Sequence, residues 1–120
     1  MAQIKSYKEL IVWQKGLKLA EEVYRLSDQF PSSEKFGLVS QMRRAVISIP
    51  SNIAEGSRRG SPKDYRNFLI FAFSSGAELE TQIEICKRLP LTKNLNYKFT
   101  EELLEEIMKM LNTMIRKIVK

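Results

Sequence analysis

Histidine is absent from this chain, and cysteine occurs once, at Cys86. The first absence removes the usual general base near neutral pH and the commonest metal ligand. The second excludes an intrachain disulfide. Most hydrolase chemistry and the familiar zinc sites fall with them, and the sequence predicts neither a metal nor any other cofactor. Long apolar runs are missing too: the longest, FLIFAF at residues 68–73, is far short of the roughly 20 residues that span a bilayer. The opening MAQIKSYKELIVWQ lacks the continuous apolar stretch and small-residue cleavage site of a signal peptide. The expectation is a cytoplasmic protein with no membrane segment. No stretch alternates strictly enough between turn signals to make a hairpin, and there is no internal repeat or low-complexity linker.

What is present suits one folded domain over residues 1–120. Its 43% hydrophobic and 28% charged residues are ordinary for a globular protein, and 120 residues build one modest core. Apolar residues recur at helical spacing almost throughout, which predicts an all-α protein. Ser6 and Glu9 have the spacing of a capping box and predict a helix over 7–29, with Leu10, Trp13, Leu17, Ala20 and Tyr24 inward. Val12, Leu19, Val23 and Leu26 flank that stripe, and Lys15, Lys18, Glu22 and Arg25 lie toward solvent. Phe30-Pro31 ends it. A second helix is expected over 34–56, with Leu38, Met42, Ala45, Val46, Ile49 and Ile53 as its core stripe. Ser61-Pro62 starts a third, reaching residue 88, with Leu69, Ala72, Leu79 and Cys86 among its inner residues. Thr100 is the expected cap of a fourth, where Leu104, Ile107, Leu111, Met114 and Ile118 repeat near heptad spacing and Arg116, Lys117 and Lys120 sit at the negative end of the helix dipole. Short connections predict an antiparallel up-down-up-down four-helix bundle.

The second helix has more apolar surface than one core face uses. Val39, Ile47, Pro50 and Ala54 lie on another side, so its middle, AVISIPSNIA, is apolar nearly all round, and such helices are usually buried on two faces. A bundle of this size buries one, so these four residues are candidates for a subunit interface. Pro50 costs a helix interior about 3 kcal/mol. A kink that frees the Val46 carbonyl and a break over residues 48–52 are the two readings. Gln41, Asn52 and Glu55 are the polar residues nearest this apolar middle and are assigned structural roles.

The same region concentrates charge. Residues 35–66 hold seven basic and two acidic residues, a balance of +5 within a chain of net charge +6 and pI near 9.6. Phosphate neutralisation by clustered Lys and Arg gives sequence-independent affinity for nucleic acid that falls steeply with salt. Arg43, Arg58, Arg59, Lys63 and Arg66 are the candidates for contact with RNA or DNA. Arg43 and Arg44 point roughly 100° apart on a helix, so they do not face the same way; which of the two is structural stays open at this point, with Arg44 offered an ion pair with Glu78, Glu80 or, across a subunit boundary, Glu55. Catalytic candidates are weak: Cys86 lies on an apolar face and reads as core, and Glu80 and Glu84 read as a solvated face. The expectation is no enzyme.

The segments YKELIVWQKGLKLAEEVY, QMRRAVISIPSNIAEGSRR and YRNFLIFAFSSGAELETQIEI resemble the four-helix bundle proteins named after intervening sequences of bacterial 23S ribosomal RNA genes. The resemblance implies an antiparallel bundle assembled into a homo-oligomeric ring, with a pentamer the known arrangement, and no enzymatic activity. It extends distantly to the accessory protein of diversity-generating retroelements, a basic pentameric bundle associated with nucleic acid and a reverse transcriptase. Two functional readings follow: a ring that binds nucleic acid directly, or a scaffold that docks a protein partner such as a reverse transcriptase.

Overall fold

A computed structural model describes residues 6–118, and these are all-helical, with no strand among them. Four α-helices follow one another: α1 (Ile11–Ser27), α2 (Ser40–Ser57), α3 (Pro62–Cys86) and α4 (Lys98–Lys117). Cross-helix contacts fix their directions. Arg43 meets Ser27 while Pro50 meets Gly16, so α2 runs against α1. Met42 meets Cys86 while Ser48 meets Ser75, so α3 runs against α2. Lys87 meets Glu101 while Arg66 meets Ile115, so α4 runs against α3. Lys15 pairs with Glu106 to close α1 on α4. The result is an up-down-up-down bundle with extents of 51 × 24 × 21 Å.

Its core is aliphatic: Leu19, Met42, Ile49, Ile53, Leu69, Leu79, Ile83, Leu104, Ile107 and Leu111 are all fully buried. Each such side chain contributes about 1.5–3 kcal/mol by leaving water. The expected stripes on α2 and α3 are the ones buried, although Leu38 and, at the start of the α3 stripe, Tyr65 and Phe68, which the same spacing places inward, are only half-covered. On α4, Leu104, Ile107 and Leu111 are buried and Met114 and Ile118 pack on the margin; Lys120 lies outside the described residues.

The expected inward stripe of α1 is displaced. Val12, Leu19, Val23 and Leu26 form the core contact, whereas Leu17 is 42% and Tyr24 39% exposed. Two apolar stripes run along α1, roughly a third of a turn apart, and each satisfies helical spacing. The bundle selects the one beside Gly16, the residue that lets α1 approach Pro50; a Cβ there would stand 3.3 Å from the Pro50 Cβ. Glu22, expected in solvent, is buried and takes Arg25 and, at 3.8 Å, Lys18 as partners.

Helix starts differ from their sequence signals for local reasons. Ser6 caps a separate 3₁₀ turn, Tyr7–Glu9, by accepting from the Lys8 N–H at 3.1 Å, and extended Leu10 (ψ 126°) separates that turn from α1. Between α1 and α2, a 3₁₀ turn (Ser32–Glu34) passes into a π-helical turn (Lys35–Val39) that runs straight into α2. For α4 the start is Lys98, whose N–H donates to Asn96 Oδ1 at 3.1 Å, and Thr100 is buried inside the helix. Tyr97 anchors that start by donating its hydroxyl to the Thr92 carbonyl at 2.6 Å. Only Ser61 acts as read, accepting from the Asp64 N–H at 3.1 Å with Pro62 in the first turn of α3.

Pro50 neither ends nor interrupts α2, which is continuous through it. Its ring is buried against Gly16, so packing within the chain offsets the lost hydrogen bond. Asn52 supports the same turn by donating Nδ2 to the Ser48 carbonyl and hydroxyl, both at 2.8 Å.

Candidate nucleic-acid interface

The α2–α3 turn is built by Gly60 at φ 80° followed by the Ser61 cap. This turn and the first two turns of α3 carry four of the five cations singled out for nucleic-acid contact, and the fold gives them different duties. Arg58 is exposed and stacks over the Tyr7 ring at 5.4 Å, with no carboxylate within 4 Å among the described residues. Lys63 is exposed and likewise unpaired. Arg59 lies over the Phe68 ring at 4.7 Å and pairs with Glu55 at 2.9 Å, one turn back on α2. Arg66 is half-buried and donates Nε to the Ile115 carbonyl at 3.2 Å, so it binds the last turn of α4. Arg58 and Lys63 are therefore the two of these four cations with no anion to leave among the described residues.

The fifth, Arg43, is a structural residue. Its Nε donates to Ser27 Oγ at 2.9 Å, its Nη2 to Asp28 Oδ1 at 2.9 Å and to the Tyr24 carbonyl at 3.3 Å, and its guanidinium lies 4.3 Å from the Tyr24 ring centre. It clamps the C-terminus of α1, where carbonyls lack helical partners and a cation is favoured. Arg44, assigned to an ion pair, has none among the described residues. It is exposed and faces a polar cleft of about 520 Å³ between α2 and α3, lined also by Phe36, Gln41, Ser48, Ser75 and Glu78. Of the two arginines, Arg43 is thus the one with intramolecular partners. Glu55 pairs with Arg59 of its own chain, and Gln41 is exposed on the cleft.

Of the residues assigned to a subunit interface, Val39 and Pro50 are buried within the protomer, Ala54 is half-buried and Ile47 is exposed. Ile47 has company that the sequence reading placed inside: Leu17 and Tyr24 on α1 are also uncovered. On α3, Phe71 and Ile85 are exposed two heptads, about four turns, apart, on one stripe.

Cys86 is buried, its Sγ 3.6 Å from Met42 Sδ, and burial pushes the thiol up to about 11. A thiol so shielded is a core residue rather than a nucleophile. Glu80 and Glu84 face Glu101 and Glu105 across a cleft of about 350 Å³, and Lys87 ties Glu101 to α3 at 2.8 Å. Sequence reasoning also missed Gln82, buried with its Oε1 unpartnered among the described residues; it sits on the same side of α3 as Ser75, seven residues on, which was the available signal.

No helix among the described residues is long and apolar enough to cross a membrane. No curated protein matches the chain. The model of one family, the 23S rRNA-intervening sequence protein, matches residues 8–113, which include all four helices nearly entire, the Arg43 clamp and the basic turn. The chain belongs to the 23S rRNA-intervening sequence protein family.

Proposed function

We propose that this protein is a non-enzymatic, ring-forming bundle that binds nucleic acid through a basic surface repeated around the ring. The observation that carries the binding reading is the pair Arg58 and Lys63, exposed where α2 turns into α3 with no carboxylate to release among the described residues. Arg58 is held on the Tyr7 ring, which limits the rotamer freedom it would lose on meeting a phosphate. One such pair binds weakly; copies on one assembly act together, because each later contact is intramolecular.

Assembly rests on the uncovered apolar side chains. Leu17, Tyr24 and Ile47 occupy the α1–α2 side, and Phe71 and Ile85 a stripe on α3. By contrast, Glu102, Glu105, Lys109, Asn112 and Thr113 make the outer face of α4 polar. Two different apolar patches on different sides suit a head-to-tail contact, which closes into a ring when the rotation between copies allows. The count of five comes from the family resemblance.

Sedimentation tests assembly: the wild-type protein is expected to be oligomeric at micromolar concentration, and Leu17→Glu/Ile47→Glu to sediment as a folded monomer. A monomeric wild type would end the ring reading. Mobility-shift assays at low salt test binding, with Arg58→Glu/Lys63→Glu expected to abolish it. If the wild type shifts neither RNA nor DNA, the protein does not bind nucleic acid directly.

A further inference from the structure

Arg66 does more than hold a helix end. By donating to the Ile115 carbonyl at 3.2 Å, it draws the last turn of α4 against the first turns of α3. Arg116 and Lys117 follow Ile115 directly, and both are exposed with no carboxylate within 4 Å among the described residues. Lys63 stands one turn before Arg66 on α3, so the same hydrogen bond brings these two separate cation pairs to one end of the bundle. Described carboxylates at that end are Glu9, Glu55 and Asp64, and Arg59 engages Glu55. At the opposite end of the 51 Å bundle Arg43 is paired with Asp28 and Lys87 with Glu84 and Glu101, and the exposed Arg88, Lys93 and Lys98, which have no ion pair among the described residues, share that end with Glu34 and Glu102 as well.

We infer that the anion-binding surface is composite: Arg116 and Lys117 of α4 stand beside Arg58 and Lys63 of the α2–α3 turn, and all four contact one nucleic-acid backbone. This rests on the binding reading above and extends it to an element more than 50 residues away in sequence. It makes Arg66 a positioning residue. Its guanidinium is committed to a carbonyl rather than a phosphate, and it sets where the α4 pair stands. The contacts are to phosphates, so affinity is independent of base sequence and strongly dependent on salt.

The test is fluorescence anisotropy of labelled single-stranded RNA and DNA across a salt series, for the wild type and three paired variants. The variants are Arg58→Gln/Lys63→Gln, Arg116→Gln/Lys117→Gln, and Arg88→Gln/Lys93→Gln, a charge-matched control at the far end. Each neutralised phosphate contact on a single strand contributes about 0.7 to the slope of log K against log salt. The Arg116→Gln/Lys117→Gln protein is therefore expected to lose about 1.4 from that slope for each subunit that contacts the strand, as is Arg58→Gln/Lys63→Gln, while the control keeps the wild-type value. Circular dichroism and sedimentation confirm that each variant is folded and assembled. An unchanged slope for Arg116→Gln/Lys117→Gln, beside a reduced one for Arg58→Gln/Lys63→Gln, overturns the composite surface and leaves the binding reading standing. An equal loss in the control overturns it too, because net charge alone then accounts for the effect. Absence of wild-type binding at low salt overturns both readings.

Discussion

Arg43 and Arg44 are neighbours with the same side chain, and the structure gives them opposite thermodynamic roles. Arg43→Ala removes a clamp of four interactions at the end of α1. Its ion pair with Asp28 is exposed on the Asp28 side, and such pairs contribute about 0.2–1 kcal/mol. The stacked guanidinium over Tyr24 adds about 0.5–1 kcal/mol. The hydrogen bonds to Ser27 Oγ and the Tyr24 carbonyl add about 1 kcal/mol each. These shares overlap, and one penalty is softened: Ser27 Oγ also donates to the Tyr24 carbonyl at 3.2 Å, so it is not orphaned when Arg43 is lost. The expected cost of Arg43→Ala is about 2 kcal/mol, which lowers the midpoint of a chain this size by roughly 6–10 °C. Arg44→Ala, with no ion-pair partner to lose among the described residues, should fall within about 0.5 kcal/mol of the wild type. Urea titration followed by circular dichroism measures both, and an Arg43→Ala/Asp28→Ala cycle isolates the ion pair, whose coupling should stay below about 1 kcal/mol. Equal stability of the two arginine variants, or a larger loss for Arg44→Ala, would refute the assignment.

Two further outcomes follow from close packing and burial. Gly56→Ala gains about 1 kcal/mol in helix propensity, but its Cβ would stand 2.6 Å from the Phe68 Cβ and 3.3 Å from the Tyr65 carbonyl oxygen. Overpacking of that kind costs about 1–3 kcal/mol, so the variant should melt below the wild type; a higher midpoint would show that α3 can shift freely. Cys86 has its thiol pKa raised by burial from 9.0 to about 11. Between those values the unfolded chain has lost a proton that the folded chain keeps, so stability falls as pH rises from about 9 toward 11. Below pH 9 both states hold the proton and the contribution is flat. Denaturation of wild type and Cys86→Ala across pH 7 to about 11 should therefore give curves whose stability difference changes only above about pH 9; parallel curves throughout would show that the thiol does not titrate differently in the two states.

The parts of this molecule that were legible in its sequence are those set by one element at a time. Apolar spacing identified the buried faces of α2, α3 and α4, and Ser61-Pro62 located the start of α3 within a residue, because the cap and the proline act on their own backbone. The first helix defeated the same rule. It carries two apolar stripes, and which one meets the core depends on a glycine in α1 facing a proline in α2. Neither residue announces the other. The arginines repeat the lesson: both lie on α2, and only the position of the α1 terminus decides that Arg43 is spent on Ser27 and Asp28 while Arg44 is left to the cleft.

The candidate site follows the same division. Charge clustering singled out Arg58 and Lys63, and both are exposed, because a turn exposes whatever it contains. It singled out Arg66 as well, whose guanidinium donates to a carbonyl 49 residues away, and it read Arg116 and Lys117 only as partners of a helix dipole. Sequence proximity made the basic stretch look like one patch, and folding both shortened and widened it. Arg43 leaves for the far end of the bundle and Arg66 turns inward, while the end of α4 arrives beside Arg66, one turn from Lys63. A basic run in a helical bundle therefore reports how many cations are near in sequence. Which of them a polyanion meets depends on carbonyls and carboxylates elsewhere, since those compete for each guanidinium before any ligand does.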